Sequence, residues 1–294
     1  MKEVIEQLNR LNLKNATEED IVAIMHQAGK AGGIITEYHP AYGPKAVPNF
    51  FVRATNYNPK SEPISSTDRL RYPPLEYNTN FQRASTPSRP MFYATRYKSL
   101  ESQDSISAIR TCLLETIGNY DELVSEGKRV VISLRYNIAP LKLYSIFNWK
   151  EFQSRNPEHT EVVEAFKTTI QQLPKDQIEN TELILNYLSE RFHIPVGEDA
   201  SLYKPSAVLT QYLLDKLTDY DIDGVVFPST KVLGEEVNVA LIPTNSDQKL
   251  IVNKVLDCEY KPNKIVEIQR RANIEHGSKI VYFTEDVKIE IDLN

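Results

Sequence analysis

The sequence predicts an α+β fold, a mixed sheet with flanking helices, and two observations carry that prediction. Helical and strand periodicities follow one another without the regular β-α-β alternation of a doubly wound sheet. The tail is strand-rich, in "KIVEIQRRANI" and "SKIVYFTEDVKIEIDL", with "TED" as a turn.

Taken in order, residues 1 to 45 read as a helical extension. In "ATEEDIVAIMHQAGKAGG", Thr17 is a plausible N-cap and Glu18 to Asp20 suit the positive end of a helix. Gly32 and Gly33 suit its termination. "FFVRAT" is a short strand. Residues 56 to 90 hold six prolines, at 59, 63, 73, 74, 87 and 90. Leu70, Tyr72, Leu75, Tyr77 and Phe81 are scattered among them. Such anchors are unusual in disordered segments, so an ordered loop draped over a pocket is expected. "MFYAT" is a second strand. "SISAIRTCLLETIGNY" is a helix with Ile106, Ile109, Leu113 and Ile117 at helical spacing. "RVVISLRYN" is a strand, and helices are expected near 160–173, 180–191 and 206–219. "DGVVFPS" and "EEVNVALIP" read as two strands joined by a loop. The resulting division is a helical extension over 1–45, a main domain over 46–245 and a β-rich extension over 246–294 packed on it.

Composition narrows the class. The 294 residues are 41% hydrophobic and 25% charged, ordinary for a globular chain. A net charge of -6 argues against a general nucleic-acid binder, which carries a basic excess. Cys112 and Cys258 make no disulfide framework and no C-x-x-C pair, so a reducing cytoplasm is the simplest reading. "MKEVIEQLNRLNLKN" lacks the apolar core of a signal peptide, and no apolar stretch reaches membrane-helix length. A cytoplasmic protein without membrane contact is expected.

The common catalytic motifs are absent. There is no G-x-x-x-x-G-K-[ST], no G-x-G-x-x-G and no G-x-S-x-G. His26, His39, His159, His193 and His276 do not pair at metal-ligand spacing, so no metal is expected. What remains is a set of polar residues on or beside regular elements: Arg53, Arg83, Tyr93, Glu115 and Ser229. On a helical wheel with Ile106 at zero, Glu115 falls roughly opposite, beside Ala108 and Cys112. A carboxylate there can face a cleft, or be one more solvated helix residue. Arg53 can equally make a structural ion pair, Tyr93 can be core packing, and Ser229 can be a turn residue.

The ordered set "FFVRA", "RLRYPP", "FQRASTPSRPMFYAT", a helix carrying "LLETI", and "DGVVFPSTKVLGEEVNVALIP" resembles the RES-domain family, named for its Arg, Glu and Ser. The resemblance spans residues 48 to 243. Its strongest parts are Arg83 to Thr95 and Asp223 to Pro243; the stretch from 137 to 205 is longer and less recognisable than in compact members. It implies an ADP-ribosyltransferase-like fold and an enzyme that degrades NAD⁺ by hydrolysis or phosphorolysis. NAD⁺ would be the substrate and inorganic phosphate a co-substrate, with a cognate antitoxin as protein partner and no direct nucleic-acid binding. The implied catalytic residues are Glu115, Arg53 and Arg83, with Tyr93 and Ser229 binding substrate. ADP-ribosyl transfer to a protein or nucleic acid, and a silent nucleotide- or partner-binding module, are the alternatives.

Overall fold

The computed structural model describes residues 1–30, 41–42, 49–60, 64–97, 102–146, 174–194, 199–217, 221–232 and 236–294. The expected helix near 160–173 and the helix-ending Gly32 and Gly33 lie outside them. The chain opens with α1 (Lys2–Arg10) and α2 (Glu18–Lys30), followed by β1 (Ala41–Tyr42), β2 (Phe50–Tyr57) and β3 (Phe92–Tyr97). Next come α3 (Ser102–Thr116), α4 (Tyr120–Ser125), β4 (Arg129–Asn137) and β5 (Leu141–Ser145). Then follow α5 (Lys175–His193), α6 (Lys204–Lys216), β6 (Gly224–Pro228), β7 (Val237–Leu241) and α7 (Pro243–Lys249). The long strands β8 (Leu250–Lys261), β9 (Ile265–Glu275) and β10 (Lys279–Asp292) complete it.

Together these elements make a mixed α+β structure built on one ten-stranded sheet, ordered β1-β5-β6-β7-β3-β2-β4-β8-β9-β10. Every neighbouring pair is antiparallel except β5 and β6. The strand-rich tail is continuous with the centre of the sheet, because β8 pairs with β4 along its length.

Local signals place the helices. Thr17 Oγ1 accepts the Asp20 N–H at 3.1 Å while Asp20 accepts the Thr17 N–H at 2.8 Å, a reciprocal capping box that starts α2. Lys204, at the head of α6, is buried. It donates to the carbonyls of Leu13 and Ala16 at 2.7 and 2.6 Å, tying the α1–α2 turn to α6. On α3 the buried apolar positions are Ala108, Ile109, Cys112 and Leu113, packed against Val52, Ala54, Val130 and Ile132. Ile106, the expected centre of the apolar face, is 52% exposed. The helix packs through Ile109 and Leu113 together with small Ala108 and Cys112, and the line of the small residues continues at i+3 to Glu115.

Residues 64–91 before β3 pack on the core, but not by all the expected anchors. Leu70 is buried and Tyr72 and Phe81 pack partly on the core, while Leu75 and Tyr77 are exposed on a 3₁₀ turn after Pro73 and Pro74. Polar side chains supply the missing grip. Buried Asn78 donates to the carbonyls of Thr86 and Pro87 at 2.7 and 3.2 Å. In the tail, the expected "TED" turn does not separate two strands. β10 runs through it, with a register shift between Thr284 and Ile289.

Asp223 and Gly224, in the strong "DGVVFPS" segment, are structural. The buried Asp223 carboxylate accepts from the Lys142 N–H, Asn245 Nδ2 and Lys249 Nζ, each at 2.8 Å. A Cβ on Gly224 would lie 2.1 Å from the Ala240 carbonyl oxygen and 2.8 Å from the Leu241 Cα. Both are backbone atoms of a buried paired strand, so neither can swing aside. Gly224→Ala is expected to destabilise the fold by at least the ~1–3 kcal/mol typical of overpacking, read as a lower urea midpoint at unchanged m-value.

Candidate functional site

Glu115 sits in the last turn of α3, where the negative end of the helix disfavours a carboxylate. Its surroundings offset that. One oxygen, Oε1, accepts three hydrogen bonds: from Ser229 Oγ at 2.7 Å, the Thr230 N–H at 3.1 Å and Asn238 Nδ2 at 3.1 Å. Oε2 receives none from the described residues. The group is therefore held in one orientation through one oxygen.

Two elements supply those donors. Ser229 and Thr230 follow β6, where Ser229 is held by its N–H to the Glu236 carbonyl at 3.0 Å and is buried. Asn238 is the polar residue of the otherwise apolar, fully buried β7. Its Oδ1 accepts from Thr95 Oγ1 at 2.8 Å, which fixes the amide so that Nδ2 faces Glu115.

Arg83 joins this group through Thr230, whose Oγ1 accepts from Nη2 at 3.1 Å. Its Nη1 donates to the Phe192 carbonyl at the end of α5, and its guanidinium lies 5.2 Å from the centre of the Tyr203 ring. Tyr93 fixes the loop that carries it. The Tyr93 hydroxyl accepts the Ala84 N–H at 2.8 Å and pairs with Ser85 Oγ at 3.0 Å. From the other side, Gln211 of α6 donates to the Ala84 carbonyl at 2.6 Å. Burial pushes the Tyr93 phenol up to about 12, so it stays protonated across the neutral range.

Arg53 occupies a different position. It registers with Ser133 on β4, whereas Val52 and Ala54 face α3. Strand alternation therefore directs Arg53 from the sheet face opposite α3. The β2–β3 ladder spans only Phe50–Val52 against Thr95–Tyr97. Just beyond it, Arg53 reaches across with Nη1 donating to the Tyr93 carbonyl at 2.9 Å.

Glu115, Ser229 and Arg83 thus share one hydrogen-bonded group, Tyr93 supports it, and Arg53 touches it only through the Tyr93 backbone. Asn238, Thr95 and Thr230 were not foreseen from sequence. The usable signal for Asn238 was a lone amide inside "VNVAL", since a buried polar side chain needs a partner. Cys112 lies beside Glu115 and Thr95, but burial pushes its thiol up to about 11, which disfavours the reactive thiolate. Among the described residues no cluster of His, Cys, Asp or Glu suits a metal ion, and no helix is long and apolar enough to cross a membrane. A concavity of about 650 Å³ beside Tyr120, Val124 and Lys264 includes none of these site residues.

Comparison with known proteins finds no matching family model and no matching curated protein.

Proposed function

We propose that the chain is an ADP-ribosyltransferase-like enzyme that cleaves the nicotinamide–ribose bond of NAD⁺, by hydrolysis or phosphorolysis. The observation that carries this reading is the Glu115 carboxylate, held through one oxygen by Ser229, Thr230 and Asn238, with no described residue donating to the other. In NAD⁺ cleavage the bond from the ribose anomeric carbon to the nicotinamide nitrogen breaks, and its electron pair leaves with neutral nicotinamide. Positive charge develops on the ribose. A fixed carboxylate beside it stabilises that oxocarbenium-like state without having to reorganise. Water or inorganic phosphate then supplies the new bond to the anomeric carbon.

The remaining residues divide by position. Arg83 presents a planar cation next to Thr230 and is suited to a phosphate oxygen of the dinucleotide. Tyr93 forms a wall and fixes the loop that carries Arg83. Ser229 orients Glu115 and would hydrogen-bond a ribose hydroxyl or the nicotinamide amide. The RES-like order of these residues along the chain points the same way. A role as the toxin of a toxin–antitoxin or defence pair, in the cytoplasm and restrained by a cognate antitoxin, belongs to this reading.

Incubation of the pure protein with NAD⁺, with and without inorganic phosphate, tests it. Nicotinamide should be released together with ADP-ribose, or with ADP-ribose 1″-phosphate when phosphate is present. Label appearing instead on an added macromolecule would move the assignment to ADP-ribosyl transfer. Intact NAD⁺ after prolonged incubation with folded protein would refute both.

A further inference from the structure

Arginines elsewhere, two on sheet strands and one in the loop before β3, have an acid. Arg129 and Arg270 share Asp257, and Arg71 pairs with Asp68 and Asp247. Arg53 and Arg135 differ. They stand on adjacent strands and on one sheet face, Arg53 opposite Ser133 and Arg135 opposite Phe51. Both guanidinium groups lie over the same Phe92 ring, 5.3 and 4.7 Å from its centre. Their hydrogen-bond partners among the described residues are neutral. Arg53 Nη1 donates to the Tyr93 carbonyl at 2.9 Å; Arg135 donates to the Leu70 carbonyl at 2.7 Å and to Ser133 Oγ at 3.4 Å. Arg53 Nε is buried with no hydrogen bond among the described residues. No carboxylate of the described residues forms an ion pair with either.

Arg135 is 4% exposed. Two like charges packed this closely out of water repel one another and lose hydration, and an aromatic face returns only part of that. Burial pushes both guanidinium groups toward easier deprotonation, and for Arg135 the neighbouring Arg53 adds to it. Asp247, the acid that offsets this at Arg135, is itself engaged by Tyr72 at 3.0 Å and Arg71 at 3.4 Å. Among the described residues no acid balances the pair directly.

We propose that Arg53 and Arg135 form an oxyanion site at the place where β2 and β3 part, taking a phosphate-type group: inorganic phosphate or the pyrophosphate of a dinucleotide. Paired planar guanidinium groups match the several oxygens of such a group. The site separates the work of the two arginines expected to act together, assigning Arg53 to Arg135 and leaving Arg83 to the Glu115 side. Its dinucleotide source rests on the NAD⁺ reading; the oxyanion site itself does not.

The test compares wild type with Arg135→Gln and Arg53→Gln by thermal unfolding and calorimetry. Inorganic phosphate, pyrophosphate and ADP-ribose are added separately, with chloride matched for ionic strength. A ligand at tenfold over its Kd should raise the wild-type Tm by on the order of 3 °C. The increment from phosphate or pyrophosphate should vanish in both variants, whatever happens to NAD⁺ turnover. If ADP-ribose affinity falls with it, the site takes the dinucleotide's pyrophosphate; if ADP-ribose affinity is unchanged, it takes free phosphate. A purely structural Arg135, clamping the Leu70 carbonyl, would lower the Tm in chloride and leave the phosphate increment intact. That result, or a wild type whose Tm responds to neither anion, overturns the proposal.

Discussion

Glu115→Gln is expected to lower NAD⁺ turnover by on the order of 10²–10³-fold, the usual cost of removing one fixed electrostatic partner of a transition state. The geometry makes this substitution unusually selective. A glutamine keeps an Oε1 that can accept from Ser229, Thr230 and Asn238, so the fixed side of the group is preserved. The amide nitrogen then replaces Oε2, the oxygen that receives no hydrogen bond from the described residues. The charge is lost where the ribose would sit. Binding of ADP-ribose, which lacks the bond being broken, should change much less than turnover. The unfolding midpoint should stay near that of wild type. A folded variant with more than a tenth of wild-type kcat removes Glu115 from the chemistry.

How legible this was depended on whether a residue's neighbours lie near it in sequence. Thr17 and Asp20 are three residues apart, and Thr17 was readable as the N-cap, though not its reciprocal bond with Asp20. Ala108, Cys112 and Glu115 recur on one helix face, so the carboxylate could be placed beside small residues before the sheet was known. Of the arc Ile106, Ile109, Leu113 and Ile117, Ile109 and Leu113 are buried and Ile117 packs partly on the core, while Ile106 is exposed, because periodicity shows which residues share a face but not where its covered edge lies. The sheet order was not readable, since β3 lies between β2 and β7 through pairings distant in sequence. The same limit hid Asn238, whose role depends on Thr95 and Glu115 arriving from other elements. It also hid Arg135, which within "RVVISLRYN" is only one polar residue in a strand. Leu75 and Tyr77 show the converse error, in that apolar type alone did not predict burial after two prolines.

The largest expected effect on stability lies away from the candidate site, at Asp257. This carboxylate is fully buried on β8. It accepts from Tyr57 Oη on β2 at 2.8 Å and from Arg270 Nε on β9 at 2.8 Å, and Arg129 Nη2 on β4 lies 2.9 Å away. One anion therefore serves two guanidinium groups and a phenol from three other strands, joining the tail to the centre of the sheet. Burial, then the bond to Asp257, pushes the Tyr57 phenol upward, consistent with a neutral donor held to a charged acceptor. Removing the acid leaves Arg129 and Arg270 partly buried without compensation, and breaking one partner of such a group costs about 3–5 kcal/mol. Asp257→Ala should show that loss as a lowered urea midpoint. Asp257→Asn keeps the shape and some hydrogen bonding and should recover only part of it, because the missing quantity is charge. NAD⁺ turnover per folded molecule should be unchanged below the unfolding transition, since none of these four side chains touches Glu115 or Arg83. A loss under 1 kcal/mol in Asp257→Ala would mean that water reaches Arg129 and Arg270 and that the tail is held by its strand pairing alone.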